Sequence, residues 1–280
     1  MRTYSLLLLT LIGLAFLGCG DNASGEDQQT FTPIIEGRKV YISGFYQDST
    51  LDQMVACYWL DGIRVDLEYG AAEDITVQNG DVYVAGQWFD ATGWNGEACY
   101  WINGIRYDLQ GGENPDVEVT GIAVDNGDVY VSGVRSDGSM FGTNACYWKN
   151  GNVNNVPRNS SFGNSWGATA FGIFLDGNDV YLAGYNAIAN KFDIGCKWKN
   201  GNLHELSGST ANEQQTWLYD IAVANGVKIT VGFYYTFIED ENDPLYYDSP
   251  IFAIYYRNGQ RVNLEESEWQ VGEATGVFIE

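Results

Sequence analysis

Two kinds of side chain in this sequence could act on a ligand: carboxylates at repeated positions, and aromatic rings set beside amides and acids. Asp74 and Asp220 stand where three comparable segments carry Gly121, Gly172 and Gly276. Two carboxylates on either side of a glycosidic bond suffice for acid–base hydrolysis. Only two of the five copies are acidic and the segments are otherwise regular. The expected role of the pair is therefore to solvate a channel mouth, and the chain is read as a binding protein, with a glycoside hydrolase as the alternative.

The aromatic candidates are Trp88, Trp94, Trp166, Trp217 and Trp269, in or beside variable segments rich in Asp, Asn and Gln, such as QWFDATGWNGE over 87–97. A ring of this kind stacks on the C–H face of a pyranose while its polar neighbours hydrogen-bond the hydroxyls. The competing expectation for each ring is that it folds down to cap its own loop, because Trp is usually largely buried. An insertion over 233–250, FYYTFIEDENDPLYYDSP, adds Tyr234, Tyr235, Tyr246 and Tyr247 around an acidic run. Within it Asp240, Asn242 and Asp243 could hold calcium through oxygen, but the glycine and terminal glutamate of a twelve-residue calcium loop are absent. A solvated turn is expected there, and no cofactor.

Other reactive types point to structure. Cys57, Cys99, Cys146 and Cys196 occupy one repeated position, where the fifth copy has Ile254. A site that accepts isoleucine is a packing site, so buried free thiols are expected. His204 is the single histidine, which excludes imidazole triads and histidine zinc sites unless it acts alone. Trp59, Trp101, Trp148, Trp198 and Tyr256 recur in register, as residues packed between repeats do.

These residues are positioned by a fivefold repeat. Strands KVYISG, DVYVAG, DVYVSG, DVYLAG and KITVG end at Gly44, Gly86, Gly133, Gly184 and Gly232, spaced 42, 47, 51 and 48 residues apart. Each is followed by an aromatic strand closed by Asn-Gly or Asp-Gly, as in ACYWING with Gly104. Period-two alternation across an Asn-Gly turn, as around Asn126-Gly127, predicts a hairpin. Two hairpins per copy make four antiparallel strands, one propeller blade. The expected fold is thus all-β: a five-bladed β-propeller over 34–280. Its C-terminal strand, near Ala274 to Glu280, completes the N-terminal blade and hides both free edges. Both short hairpins of every blade then share one face, and the long variable loops share the other.

The strand order and Asn-Gly hairpins resemble kelch-type propeller repeats, and the unit A-x-x-W-x-N-G-x-x-x-x-L resembles the W-x-N-G repeats of bacterial extracellular proteins. The double glycine usual after the second kelch strand is single here, as at Gly86 and Gly133. The resemblance implies a propeller and is silent on ligand. Five-bladed propellers of the tachylectin type are lectins, and some glycoside hydrolases use five blades with carboxylates gathered at the centre, analogies of architecture alone.

At the N-terminus Arg2 precedes an apolar stretch from Leu6 to Leu17 that is too short to span a bilayer, and reads as a secretory signal over 1–18. Phe16-Leu17-Gly18-Cys19 resembles the lipobox of bacterial lipoproteins, which implies lipidation of Cys19, with Phe16 where the family usually has leucine. Residues 19–33 are polar and acidic and read as a tether. With 37 acidic against 14 basic residues and a net charge of −23, the surface repels phosphate backbones and nucleic acid is excluded as a partner. The sequence thus predicts an exported bacterial protein, held at the outer membrane or cell surface by lipid on Cys19. It recognises a glycan on the long-loop face or, alternatively, an extracellular protein.

Overall fold

The computed structural model describes residues 39–48, 53–90, 96–113, 117–136, 138, 142–158, 165–188, 193–206, 214–236, 239–240, 243–247, 251–264 and 274–277. All belong to the unit Pro33–Glu280. Among them the secondary structure is all strand and turn, with no helix. The first repeat comprises β1 (Tyr41–Asp48), β2 (Gln53–Leu60) and the first half of β3 (Ile63–Gln78). The second takes the rest of β3 with β4 (Asp81–Phe89), β5 (Gly96–Ile102) and β6 (Ile105–Asp108). The third is β7 (Glu118–Asp125), β8 (Asp128–Ser136), β9 (Thr143–Lys149) and β10 (Asn152–Asn155). The fourth is β11 (Ser165–Asp176), β12 (Asp179–Ile188), β13 (Ile194–Lys199) and β14 (Asn202–Glu205). The fifth holds β15 (Gln214–Ala224), β16 (Val227–Thr236), β19 (Ile251–Arg257) and β20 (Gln260–Asn263), with β17 (Glu239–Asp240) and β18 (Asp243–Tyr247) as a short hairpin in its insertion.

Within each repeat successive strands pair antiparallel, as the hairpin signals predict. The sheets nevertheless run across repeat boundaries in two places. β3 is one strand of 16 residues that pairs with β2 by its first half and β4 by its second, and a parallel contact of Gly167 with Thr143 joins the third and fourth repeats.

The turns show why Asn and Gly alternate with such regularity. Asp61, Asn103, Asn150, Asn200 and Asn258 have φ of 49° to 51°, and the following glycines 77° to 89°, the two positive values of a type I′ turn. In each case the side chain also pins the neighbouring hairpin. Asn103 Oδ1 accepts the Val82 N–H at 3.0 Å, and Asn150, Asn200 and Asn258 do the same for Val129, Val180 and Lys228. Both turns of a repeat therefore lie at the same end, and the longer connections lie at the other.

The glycine of the first strand has a different cause. The strands do not stop there: β4, β8, β12 and β16 continue beyond Gly86, Gly133, Gly184 and Gly232. Opposite each glycine the partner strand carries a β-bulge, with Glu73, Thr120, Phe171 or Tyr219 as the extra residue. The bulge drives a backbone carbonyl, that of Ala71, Glu118, Thr169 or Trp217, into the place a Cβ would take.

Burial confirms the packing roles. Trp101, Trp148, Trp198 and Tyr256 are fully buried, whereas Trp59 of the first repeat is only half-buried; Cys57, Cys99, Cys146 and Cys196 are buried, all free thiols. Desolvation raises the Cys146 thiol to about 12, so it is not a nucleophile at neutral pH. The indole N–H groups reach the preceding repeat: Trp101 donates to Glu68 Oε2, Trp148 to Gln110 O and Trp198 to Pro157 O, at 3.2, 3.0 and 2.7 Å. Those three acceptors all follow the outer-strand residues Leu67, Leu109 and Val156, so one stitch is repeated from repeat to repeat.

Candidate functional site

The inner strands bring together what the sequence scattered. On β15, Trp217 and Tyr219 sit two residues apart on one side of the strand, and the bulge places Phe171 of β11 and Phe233 of β16 against both. Tyr185 of β12 stacks on Trp217 with centroids 4.8 Å apart and planes 9° from parallel. Phe233 is buried and the other four rings are half-buried. The result is an aromatic shelf across the fourth and fifth repeats, at the end away from the short hairpins.

Polar groups are fastened to this shelf. Asp193, just before β13, accepts the Trp217 indole N–H at 2.9 Å and the Gln215 amide at 2.6 Å through Oδ2. Burial pushes its carboxyl above the usual range, and those two hydrogen bonds pull it back in part. The carboxylate of Glu118, at the start of β7, lies within electrostatic reach of Tyr185 and of Glu73 on the β3 bulge. Solvent reaches Glu73, yet protein crowds around it. Desolvation raises its carboxyl, and the charge of Glu118 adds to the rise.

Asp74 and Asp220 have a different task from the solvation expected of them. Asp74 accepts the N–H of Ile75 through Oδ1 and that of Ile122 through Oδ2, both at 2.8 Å. Asp220 does the same for Ile221 at 2.7 Å and Val277 at 2.9 Å. Each carboxylate thus joins its own strand to the backbone one residue past a glycine, Gly121 of the third repeat or Gly276 near the C-terminus. Desolvation raises both carboxyls, backbone hydrogen bonds oppose the rise, and the Asp220 charge adds a smaller upward push on Asp74.

The remaining candidates separate. Trp88 is half-buried against the core of the first two repeats, with the Arg106 guanidinium 4.3 Å from its ring centroid. Tyr234 is corrected as a ligand-facing residue: it is 7 % exposed, stacked on Phe252 at 4.9 Å and covered by Arg261. Trp166 and Tyr235 lie in β11 and β16, and Tyr246 and Tyr247 in β18, but their side chains are outside the described residues. Trp94, Trp269, Asn242 and Cys19 are wholly outside them. Asp240 and Asp243 pair across the β17–β18 hairpin, with side chains outside the described part. Among the described residues no group of three metal-ligating side chains occurs.

Of the shelf, only Trp217 was legible as a site residue in the sequence. Tyr185, Phe171, Tyr219, Asp193 and Glu118 carry a signal that was available, since each breaks its repeated position. The row holding Trp217 reads Ala71, Glu118, Thr169, Trp217, and the bulge row reads Glu73, Thr120, Phe171, Tyr219.

No family model and no curated protein matches the chain. Among solved structures, an α-L-arabinofuranosidase (CtGH43) from Clostridium thermocellum is 12 % identical with a TM-score of 0.34, covering 84 % of this chain and 94 % of its own. CoXyl43, a GH43 β-xylosidase/α-arabinofuranosidase from a compost microbial metagenome, is 11 % identical with a TM-score of 0.34, covering 86 % and 92 %. The GH32 β-fructofuranosidase BmSUC1 of Bombyx mori is 11 % identical with a TM-score of 0.35, covering 77 % and 57 %. Likenesses this distant bear on neither the activity nor the ligand of this chain.

Proposed function

We propose that this chain is a five-bladed β-propeller that binds a carbohydrate at the shelf formed by Tyr185, Trp217, Phe171 and Tyr219. The observation that carries this reading is the company the rings keep. Half-buried aromatics beside Asp193, Gln215 and Glu118 offer both the apolar face and the hydrogen-bonding edge that a sugar needs. Closure into five blades is supported by the contacts of residues 274–277 with the fifth repeat, Ala274 N–H to Gly232 O at 3.3 Å and Val277 N–H to Asp220. In this reading the segment is the inner strand of the first blade. The chain is exported and held at the bacterial envelope by lipid on Cys19.

A second reading, hydrolysis, is favoured by one observation. Desolvation raises the Glu73 carboxyl and the Glu118 charge adds to the rise, and two acids of which one is raised are the pair that acid–base hydrolysis uses. The test is a glycan-array screen of the full chain alongside Trp217→Ala and Tyr185→Ala, each checked for folding by circular dichroism. Binding that disappears in both folded variants supports the lectin, and release of reducing sugar from a bound glycan moves the assignment to a hydrolase. A blank array with folded wild-type protein refutes carbohydrate recognition and leaves a protein partner.

A further inference from the structure

A second cleft, of about 350 Å³, opens between the fourth and fifth repeats beside the Asn-Gly turns, away from the aromatic shelf. Its volume lies within the range of about 300–1,000 Å³ typical of small-molecule sites. In a chain of net charge −23 it gathers Lys197, Lys199 and Lys228, three of only 14 basic residues, together with the single histidine, His204. The Tyr181 ring and Asn258 complete the wall.

Comparison among the repeats shows that this cleft is a local departure from the pattern. The β13 position held by Lys197 is tyrosine in every other repeat: Tyr58, Tyr100, Tyr147 and Tyr255. Opposite it stands His204, whereas the second repeat puts Tyr107 there, stacked on Tyr100 with centroids 5.2 Å apart. Lys228 stands where the second, third and fourth repeats have the buried Val82, Val129 and Val180. The residue before it, Val227, stands where those repeats have Asp81, Asp128 and Asp179. Each of these acids accepts a hydrogen bond from the turn asparagine, and the latter two also pair with Lys149 and Lys199 at 2.7 and 2.6 Å. At one place, therefore, one apolar and one aromatic position become lysine, one becomes histidine, and the turn aspartate that the second, third and fourth repeats carry is lost.

The charges that remain are not balanced within the described protein. Asp179 compensates Lys199, but among the described residues no carboxylate lies within ion-pair distance of Lys197 or Lys228. Lys197 is half-buried, and burial together with the nearby Lys228 charge holds its ammonium below the usual lysine range. Val227 occupies the position of the aspartate to which the counterparts of the Asn258 amide donate. Two like charges held together in a partly desolvated cleft are costly without an anion between them.

We propose that this cleft binds a small anion: one carboxylate, phosphate or sulfate group held by Lys197, Lys228 and His204. The site is independent of the aromatic shelf and does not rest on the carbohydrate reading.

Because the chain has one histidine, its imidazole C–H resonances give a single-site reporter. The full chain is titrated at low ionic strength with glucuronate, inorganic phosphate and sulfate, while the His204 signal is followed by ¹H–¹³C NMR. Lys197→Tyr and Lys228→Val, which restore residues the other repeats use, are measured beside Lys149→Gln, which removes a lysine at an equivalent turn of the third repeat. We expect a saturable shift with at least one anion, unchanged in Lys149→Gln and weakened about tenfold or more in each cleft variant, the loss of one charge-assisted hydrogen bond. The anion that binds identifies the class. No saturable shift with any of the three, an equal shift in both cleft variants, or abolition of all binding by 150 mM chloride, a concentration on the order of physiological salt, would overturn the proposal.

Discussion

Asp74 and Asp220 show how a single side chain can imitate a catalytic residue in the sequence and serve as a clamp in the fold. Each is half-buried and accepts two backbone N–H groups, one local and one distant in the chain. Asparagine keeps the shape but offers one acceptor oxygen and turns its amide NH2 toward the second N–H. Asp220→Asn should therefore cost about 1–3 kcal/mol of stability, measured by urea unfolding. The folded Asp220 carboxyl is raised, so the stability it contributes is full below the unfolded aspartate value of about 3.9 and is lost as pH rises through the folded value. The deficit of the variant should accordingly be larger near pH 4 than near pH 8, and an equal deficit at both would contradict the assigned environment. The sequence marked this position as unusual because aspartate replaced glycine. It could not show that the partner was a backbone amide about 50 residues away.

At the scale of strands and turns, regularity in the sequence translated almost directly into regularity in the structure. The turn glycines and asparagines lie where local backbone sterics require positive φ, a requirement written within four residues. The strand glycines were equally visible but differently caused. They lie opposite bulges, and a bulge is a property of two paired strands. A Cβ at Gly133 would strike the Glu118 carbonyl and crowd the Trp148 ring. Gly133→Ala should thus lower stability by about 1–3 kcal/mol or more, whereas Gly127→Ala, where a Cβ meets nothing, should cost less, only the strain of its turn conformation. Thermal unfolding of the two variants side by side checks the ordering, and a Gly133→Ala protein as stable as wild type would remove the bulge as the reason for the repeat.

For the whole molecule the decisive element is the junction between its ends. Residues 274–277 touch the fifth repeat through Gly232 and Asp220, while β1 stands at the edge of its sheet with β2 as its paired neighbour. If the segment closes a ring, removing residues 274–280 leaves the Asp220 carboxylate without its cross-repeat donor and exposes two strand edges. Such a deletion should lower Tm by several degrees, roughly what the loss of 1–2 kcal/mol does to a domain of this size, and should promote aggregation. Light scattering and calorimetry read both effects, and an unchanged Tm would rule out closure by this segment.

The sequence by itself determined the strand content, the hairpin turns, the fivefold period and the buried aromatic and cysteine positions, because these follow from local dihedral preferences and from packing environments that recur at equal spacing. The tertiary structure alone decided which exceptions to the repeat meet. Tyr185, Trp217 and Asp193 come from different strands, as do Lys197, His204 and Lys228. Their proximity depends on how one repeat lies against the next, which neither composition nor period encodes. The same geometry turned Asp74 and Asp220 from an apparent acid pair into backbone clamps, since hydrogen bonding and desolvation are set by neighbours distant in the chain.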